Sequence, residues 1–177
     1  NPLITAFRDL DNKGEFSYIP FTSKQGTLDP LKLQERFPEK VKALAPLSTT
    51  ISGQLSMDAR SIEEIEKWKA LGYQETVRSN GEAYKLKWGH MEDRLKYDLL
   101  KNAPKITMPL LMIVGEGDPM TPPKHQQLLL DAVATSADKK ELHILENAAH
   151  NVDHNLGRAD VLPEVREIFE KWLAKLD

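Results

Sequence analysis

The clearest pattern of apolar and polar positions lies between residues 106 and 150, where it predicts a strand, a helix and a second strand. Leu110 to Val114 is an unbroken apolar run followed by glycines and a proline, which is typical of a strand buried on both faces. Pro122-Pro123 opens a segment with helical spacing of apolar residues, which Ser136 to Asp138 end. Glu141 to Leu145 forms the second predicted strand. Two strands joined by a helix predict a parallel pair in one sheet.

Two chemically active side chains follow these strands. Asp118 comes just after the first strand, and His150 comes five residues after the second. Because both loops leave the same edge of a parallel sheet, we expect the two side chains to meet there. A carboxylate that holds one nitrogen of an imidazole is the acid and base part of a nucleophilic triad. Glu116 is the alternative acid, and Asp118 as an ordinary turn residue is the competing interpretation.

The same region resembles the α/β-hydrolase family. The resemblance rests on the I-x-x-P-x-L-x-I-x-G-x-x-D pattern from Ile106 to Asp118, on the phrase E-N-A-A-H that ends at His150, and on an amphipathic helix predicted over Leu162 to Leu176. It covers about 38–177. It implies a mostly parallel sheet flanked by helices, in which the aspartate orients the histidine and the histidine activates a serine earlier in the chain.

Ser23 is the residue that the resemblance places as this nucleophile, within the segment T-S-K-Q-G. The family's G-x-S-x-G turn needs small residues two before and two after the serine, because backbones approach closely there. This chain has Phe21 and Gln25 at those positions, with a glycine only at Gly26. Two interpretations of Ser23 therefore stay open: it is the nucleophile, or it is an ordinary serine in a turn.

The remaining pattern before residue 48 predicts few further elements. These are a helix over Leu3–Leu10, a strand over Glu15–Phe21, a helix over Pro30–Phe37 and a strand over Val41–Leu47. Only 22 residues precede Ser23, whereas each strand-helix unit takes roughly 30 residues. We expect a single domain over 1–177 that is truncated or shortened at its amino-terminal side: either a front part has been removed or lies in another chain, or the fold itself is shortened. A second copy or a complementing amino-terminal chain would then cover its small sheet.

Residues 52–104 are expected to form a cap inserted into this domain. A capping box at Ser61 and Glu64 begins a predicted helix that ends at Gly72, with an apolar face of Ile62, Ile65, Trp68 and Leu71. A hairpin turning at Asn80-Gly81 and a helix over Met91–Leu100 follow. The aromatic residues of this segment either line a substrate pocket or pack its own small core; they are Trp68, Tyr73, Tyr84 and Trp88.

Composition excludes several classes of function. The chain of 177 residues carries a net charge of −3 and no cysteine, so nucleic acid is not an expected partner and thiolate chemistry is absent. No nucleotide-binding glycine motif occurs, and we expect no cofactor. His150 and His154 have the spacing of a helical metal pair, but the asparagines around them favour a loop, and no metal is expected. No apolar run predicts a membrane span; a cytoplasmic chain is expected, although a processed secreted protein would have the same composition.

Two functions of different class therefore remain. One is a serine hydrolase that cleaves an ester, thioester or amide of a small substrate with Ser23, His150 and Asp118. The other is a hydrolase-like domain that lacks its nucleophile and acts in binding or structure.

Overall fold

The computed structural model describes residues 42–77, 81–149 and 161–176. The helices are α1 (Gly53–Asp58), α2 (Ile62–Leu71), α3 (Trp88–Arg94), α4 (Pro123–Ala132) and α5 (Val161–Leu173), and the strands are β1 (Tyr73–Val77), β2 (Ala83–Lys87), β3 (Leu110–Gly115) and β4 (Lys140–Leu145). The elements predicted before residue 41 lie outside the described residues, as do Ser23, His150 and His154.

A parallel layer with β3 in its centre forms the main sheet. The strands β3 and β4 pair in parallel from Leu110↔Lys140 to Gly115↔Leu145, which confirms the predicted strand pair. On the other side of β3 runs the extended segment 43–48, which is parallel to β3 and joined to it at Leu44 and Leu47. These contacts stay isolated bridges rather than a regular strand, because Pro46 within the segment has no N–H to donate. All three segments end at the same edge, called here the carboxyl edge.

Alternate residues of β3 enter two separate cores. Leu111 and Ile113 pack with α5, where Val165, Phe169 and Trp172 are buried. Leu110 and Met112 point to the opposite face, where Leu129 and Val133 cover them at α4. The side-chain period of two along a strand explains this division. The result is a helix–sheet–helix sandwich in which β3 is buried on both faces.

Two helix ends differ from the predicted ones. The helix α4 ends at Ala132, because Val133 is already extended and the Thr135 hydroxyl donates to the carbonyl of Met108 at 2.7 Å, which draws the chain back to the sheet. The helix α5 ends at Leu173 rather than Leu176.

Residues 52–104 contain a helical and hairpin unit between the extended segment 43–48 and β3. The capping box of α2 is present, with the Ser61 hydroxyl accepting the Glu64 N–H at 3.2 Å, and Gly72 ends the helix at φ +74°. The predicted apolar face of α2 is wrong in part. Trp68 alone is buried, whereas Ile62 is 76% and Leu71 53% exposed.

The hairpin is confirmed, with β1 and β2 antiparallel and Gly81 at φ +83° in the left-handed region that glycine favours. The helix predicted over Met91–Leu100 is instead α3, which begins at Trp88 and ends at Arg94. Beyond Arg94 the chain pairs with residues 51–53 instead, since the Gly53 N–H donates to the carbonyl of Tyr97 at 3.0 Å and the Leu99 N–H donates to that of Ile51 at 2.8 Å.

Two of the aromatic residues in 52–104, Trp68 and Trp88, contact each other. The rings of Trp68 and Trp88 meet edge to face with centroids 5.3 Å apart, and the Trp68 indole N–H donates to the carbonyl of Leu86 at 2.9 Å. This packing supports the small-core interpretation for the two tryptophans, and the pocket interpretation stays a prediction for Tyr73 and Tyr84. Within the described ranges, no helix is long and apolar enough to cross a membrane.

Candidate functional site

Asp118 lies at the carboxyl edge, three residues beyond the last residue of β3. Its own N–H donates to the carbonyl of Gly115 at 3.2 Å, which turns the chain sharply after the strand. The side chain points inward, and the residue is only 2% exposed. Gly-x-x-Asp after a buried apolar run is therefore a local signal that places a carboxylate under the surface of this edge.

The residues that follow hold this carboxylate in one orientation. One carboxylate oxygen, Oδ1, accepts the N–H groups of Met120 at 2.8 Å and Thr121 at 2.9 Å. The other, Oδ2, accepts the Thr121 hydroxyl at 2.6 Å. An ionised carboxylate accepts about four hydrogen bonds, so this arrangement is compatible with one from an imidazole N–H as well. Hydrogen bonds to an ionised group are the stronger kind, and they offset the cost of burying it.

The loop that follows β4 packs directly against the Asp118 loop. The Glu116 N–H donates to the carbonyl of Leu145 at 2.9 Å, and the Gly117 N–H donates to that of Ala148 at 2.9 Å. A Cβ atom at Gly115 would lie 2.5 Å from the carbonyl oxygen of Ala149 and would overlap that of Ala148. Glycine at this position is therefore what allows the two loops to touch. His150 is the next residue after Ala149.

Glu116, the alternative acid, has a different position. Its side chain is exposed, and Oε2 accepts the N–H of Asn147 at 3.1 Å. Asn147 has φ +54°, a conformation that asparagine tolerates better than most residues. Glu116 thus stabilises the turn after β4, while Asp118 is the buried carboxylate of the pair.

Three further polar residues of this edge were not found from the sequence. Thr121 holds Asp118, and the spacing Asp-x-x-Thr was a usable signal because side chains three apart meet in a turn. Gln126 is only 1% exposed and joins two loops through its amide. Ser48 has φ +44° and a buried hydroxyl with no hydrogen-bond partner within the described ranges. The positive φ angle and the buried hydroxyl of Ser48 could not be predicted from the sequence, because both arise from tertiary packing.

The histidines that the structure describes have roles in packing or at the surface. His125 is 8% exposed on α4, and burial, aided by the charge of Lys124, lowers its pKa from the ordinary value. His143 pairs with Glu141 at 3.0 Å. No cluster of three metal-ligating side chains occurs among the described residues.

Comparison with known proteins gives two kinds of match, one to a family model and one to solved structures. A family model described as serine aminopeptidase, S33 matches residues 31–155. No curated protein matches the sequence.

Solved structures resemble the chain across most of its length. It is similar to the mouse alpha/beta hydrolase domain-containing protein 10, with a TM-score of 0.65 and 16% identity over 97% of this chain and 69% of that one. It is also similar to the monoacylglycerol lipase of Paleococcus ferrophilus, with a TM-score of 0.58 and 15% identity over 99% and 75% of the two chains. A third is Est1E of Butyrivibrio proteoclasticus, solved with bound ferulic acid, with a TM-score of 0.55 and 16% identity over 96% and 67% of the two chains. At these identities the similarity shows the fold alone.

Proposed function

Because the chain belongs to the serine aminopeptidase S33 family and has the α/β-hydrolase fold, we propose that it is a serine hydrolase. It would cleave an ester, thioester or amide bond of a small substrate. Asp118 is the proposed acid, His150 the proposed base, and Ser23 the proposed nucleophile. The observation that carries the proposal is the buried, three-fold hydrogen-bonded carboxylate of Asp118 at the carboxyl edge.

The position of Asp118 matches the chemistry that a triad acid must perform. Such a residue holds the imidazole in one tautomer and stabilises the imidazolium that forms during the reaction. Both tasks need a fixed, ionised carboxylate that has little contact with water. The two N–H groups and one hydroxyl from residues 120–121 fix it, and burial excludes water.

The contact between the loops supports His150 as the partner. The chain leaves Ala149 where its carbonyl, with that of Ala148, lies against Gly115, three residues before Asp118. His150 is the next residue in the sequence after Ala149. The loop order along the chain, acid before base, is also the order that α/β-hydrolases use.

The proposed reaction proceeds through an acyl-enzyme. The imidazole of His150 removes the proton of the serine hydroxyl as its oxygen attacks the substrate carbonyl carbon, and backbone N–H groups stabilise the oxyanion. The imidazolium then gives that proton to the departing alcohol, thiol or amine. Water repeats the sequence on the acyl-enzyme, which releases the acid and restores the serine. Residues 52–104 are proposed to act as a cap, since they are inserted between the extended segment 43–48 and β3.

The second candidate function is a binding or structural domain without a nucleophile. The specific observation in its favour is the sequence around Ser23, where Phe21 and Gln25 replace the small residues of the usual nucleophile turn. It shares the fold and the Asp118 site with the first candidate, so only the presence of a reactive serine separates the two.

Turnover of p-nitrophenyl butyrate and labelling with a fluorophosphonate test the proposal. We expect turnover, a label on Ser23, and a loss of roughly 10⁴-fold in kcat for Asp118→Asn, because the amide holds the wrong imidazole tautomer. Asp131→Asn is the matched control, since Asp131 is exposed on α4, where its carboxylate accepts a hydrogen bond from the Gln127 amide and lies outside the Asp118 loop. A folded protein without turnover and without label would instead identify the binding domain. Labelling of another serine would retain the hydrolase and replace Ser23.

A further inference from the structure

Gln126 is a buried amide that none of the chemistry above uses. It lies on α4 and is only 1% exposed. Its Nε2 donates to the carbonyl of Thr49 at 2.8 Å and to that of Thr121 at 3.2 Å. Thr49 follows the extended segment 43–48, and Thr121 belongs to the loop after β3. A single side chain therefore joins the loops that leave two neighbouring segments of the sheet.

At one end, the bridge reaches Asp118 through one residue. Thr121 is the residue whose N–H and hydroxyl both donate to the Asp118 carboxylate. Its carbonyl is the group that Gln126 holds. Thr121 is thus fixed from both sides, and its position decides where its own N–H and hydroxyl point toward the Asp118 carboxylate.

At the other end, the bridge reaches a strained turn. Ser48 precedes Thr49 and has φ +44°, a conformation that a residue other than glycine adopts only when its surroundings impose it. Its N–H donates to the carbonyl of Ile113 at 2.9 Å, and the bond from Gln126 to Thr49 holds the next carbonyl. These two bonds flank the strained residue and together explain how the conformation persists.

Ser48 also carries an unsatisfied polar group. Its hydroxyl oxygen is buried and has no hydrogen-bond partner within the described ranges. Strain and an unpaired buried hydroxyl at one residue are both unfavourable for stability, and such features cluster at functional sites. Ser48 lies at the carboxyl edge, where ligands of α/β sheets collect. The turn that Gln126 holds therefore has the properties of a segment that lines a functional site rather than of a connecting loop.

We propose that Gln126 is a positioning residue whose amide, by bridging the carbonyls of Thr49 and Thr121, fixes the Ser48 turn and the Asp118 loop relative to each other. This role rests on the proposed hydrolase function, because the reaction is what requires the Asp118 loop to be held in a fixed position. The bridge itself is a property of the fold and is measurable without any substrate.

Hydrogen exchange and kinetics of three variants of the full chain test the proposal. Gln126→Met keeps the volume and removes both hydrogen bonds. Gln126→Glu keeps the shape, but its carboxylate cannot donate to a carbonyl. Gln127→Met is the matched control, because Gln127 is the next residue on α4 and is exposed. Its amide donates across the helix surface to Asp131 at 2.7 Å and, among the described residues, bridges no loops.

Exchange of individual backbone amides separates positioning from general stability. In Gln126→Met and Gln126→Glu we expect faster exchange at Met120, Thr121 and Ser48, by roughly tenfold or more, as expected when local opening becomes easier. Amides of β3 and α5 should keep their wild-type rates. Equal acceleration at all amides would show that Gln126 only stabilises the fold, and unchanged exchange at the three site amides would show that the bridge positions nothing; either result overturns the proposal.

Kinetics then connects the bridge with the reaction. We expect kcat of Gln126→Glu to fall about 10- to 100-fold with little change in KM, since small displacements of catalytic groups have effects of this size. Gln127→Met should match the wild type. If Gln126→Met does not fold, Gln126→Asn replaces it: its shorter amide reaches one carbonyl only, and we expect intermediate exchange rates. If the wild-type protein hydrolyses no ester, the hydrolase proposal fails while the exchange data still decide the positioning role.

Discussion

The Thr121 hydroxyl offers the sharpest test of how the fold holds Asp118. Thr121→Val replaces this hydroxyl with a methyl group of nearly the same size and leaves both N–H donors in place. It removes the 2.6 Å hydrogen bond to Oδ2 of a carboxylate that is only 2% exposed. A hydrogen bond to a charged group contributes about 1.5–3 kcal/mol, so we expect the free energy of unfolding to fall by that amount.

Thr135→Val is the matched control for this substitution. Thr135 is equally buried, at 3% exposed, and its hydroxyl donates to the uncharged carbonyl of Met108 at 2.7 Å. A neutral hydrogen bond contributes about 0.5–1.5 kcal/mol, so Thr135→Val should be the milder change. The two variants thus differ mainly in the charge of the acceptor.

Urea unfolding at pH 7, followed by tryptophan fluorescence, measures both free energies. With a slope of about 2 kcal/mol per molar urea, the expected difference between the two variants is roughly 0.5–1 M in the midpoint. A Thr121→Val protein as stable as Thr135→Val, or more stable, would refute the reasoning. It would mean that Asp118 is not held as a buried, ionised acceptor.

Two further predictions concern the loops and the surface. Gly115→Ala should destabilise the protein by about 1–3 kcal/mol, because its methyl group would meet the carbonyls of Ala148 and Ala149. Gly89→Ala in α3 is the control: its methyl group meets nothing closer than 3.8 Å, and it should stabilise the protein by about 0.5–1 kcal/mol. Thermal melts that rank the two variants otherwise would contradict the loop contact. Hydrogen bonds first from Lys175 and then from His143 lower the pKa of Glu141 below its usual 4.5. The depressed pKa of Glu141 adds stability above pH 4.5, and this stability is lost as the pH falls through the pKa of the folded state. Lys175→Met should therefore be less stable than the wild type by about 0.2–1 kcal/mol at pH 7 and equally stable in acid. An equal difference in the free energy of unfolding at both pH values would exclude the ion pair.

The main sheet was predictable because its signals are local. The unbroken apolar run of β3 is buried on both faces as predicted, and the α/β-hydrolase fold class is confirmed. The capping box at Ser61 and the glycine at 81 also gave correct elements, since caps and left-handed turns depend on single residues. The triad pairing and the cap boundaries over 52–104 stay predictions.

The misplaced elements have tertiary causes. The helix predicted over Met91–Leu100 ends at Arg94, because the chain beyond it pairs with residues 51–53, where Leu99 donates to the carbonyl of Ile51 at 2.8 Å. The spacing of apolar residues in α2 predicts a face buried in the core. Ile62 and Leu71 on that face nevertheless have little to pack against among the described residues and are exposed. Gln126 and Ser48 were missed for the same reason, since both acquire their roles from residues distant in sequence.

The pairing of Asp118 with His150 is the central claim, and proton NMR of the imidazole tests it most directly. An imidazole N–H that donates to a carboxylate resonates far downfield of other ring protons and exchanges slowly. We predict such a resonance for His150 in the wild-type protein, separated from any signal of the His143–Glu141 pair by its loss in His150→Gln. It should be lost or shift strongly upfield in Asp118→Asn and persist in Asp131→Asn. A His150 resonance that is unchanged in Asp118→Asn would contradict the pairing and, with it, the proposed triad.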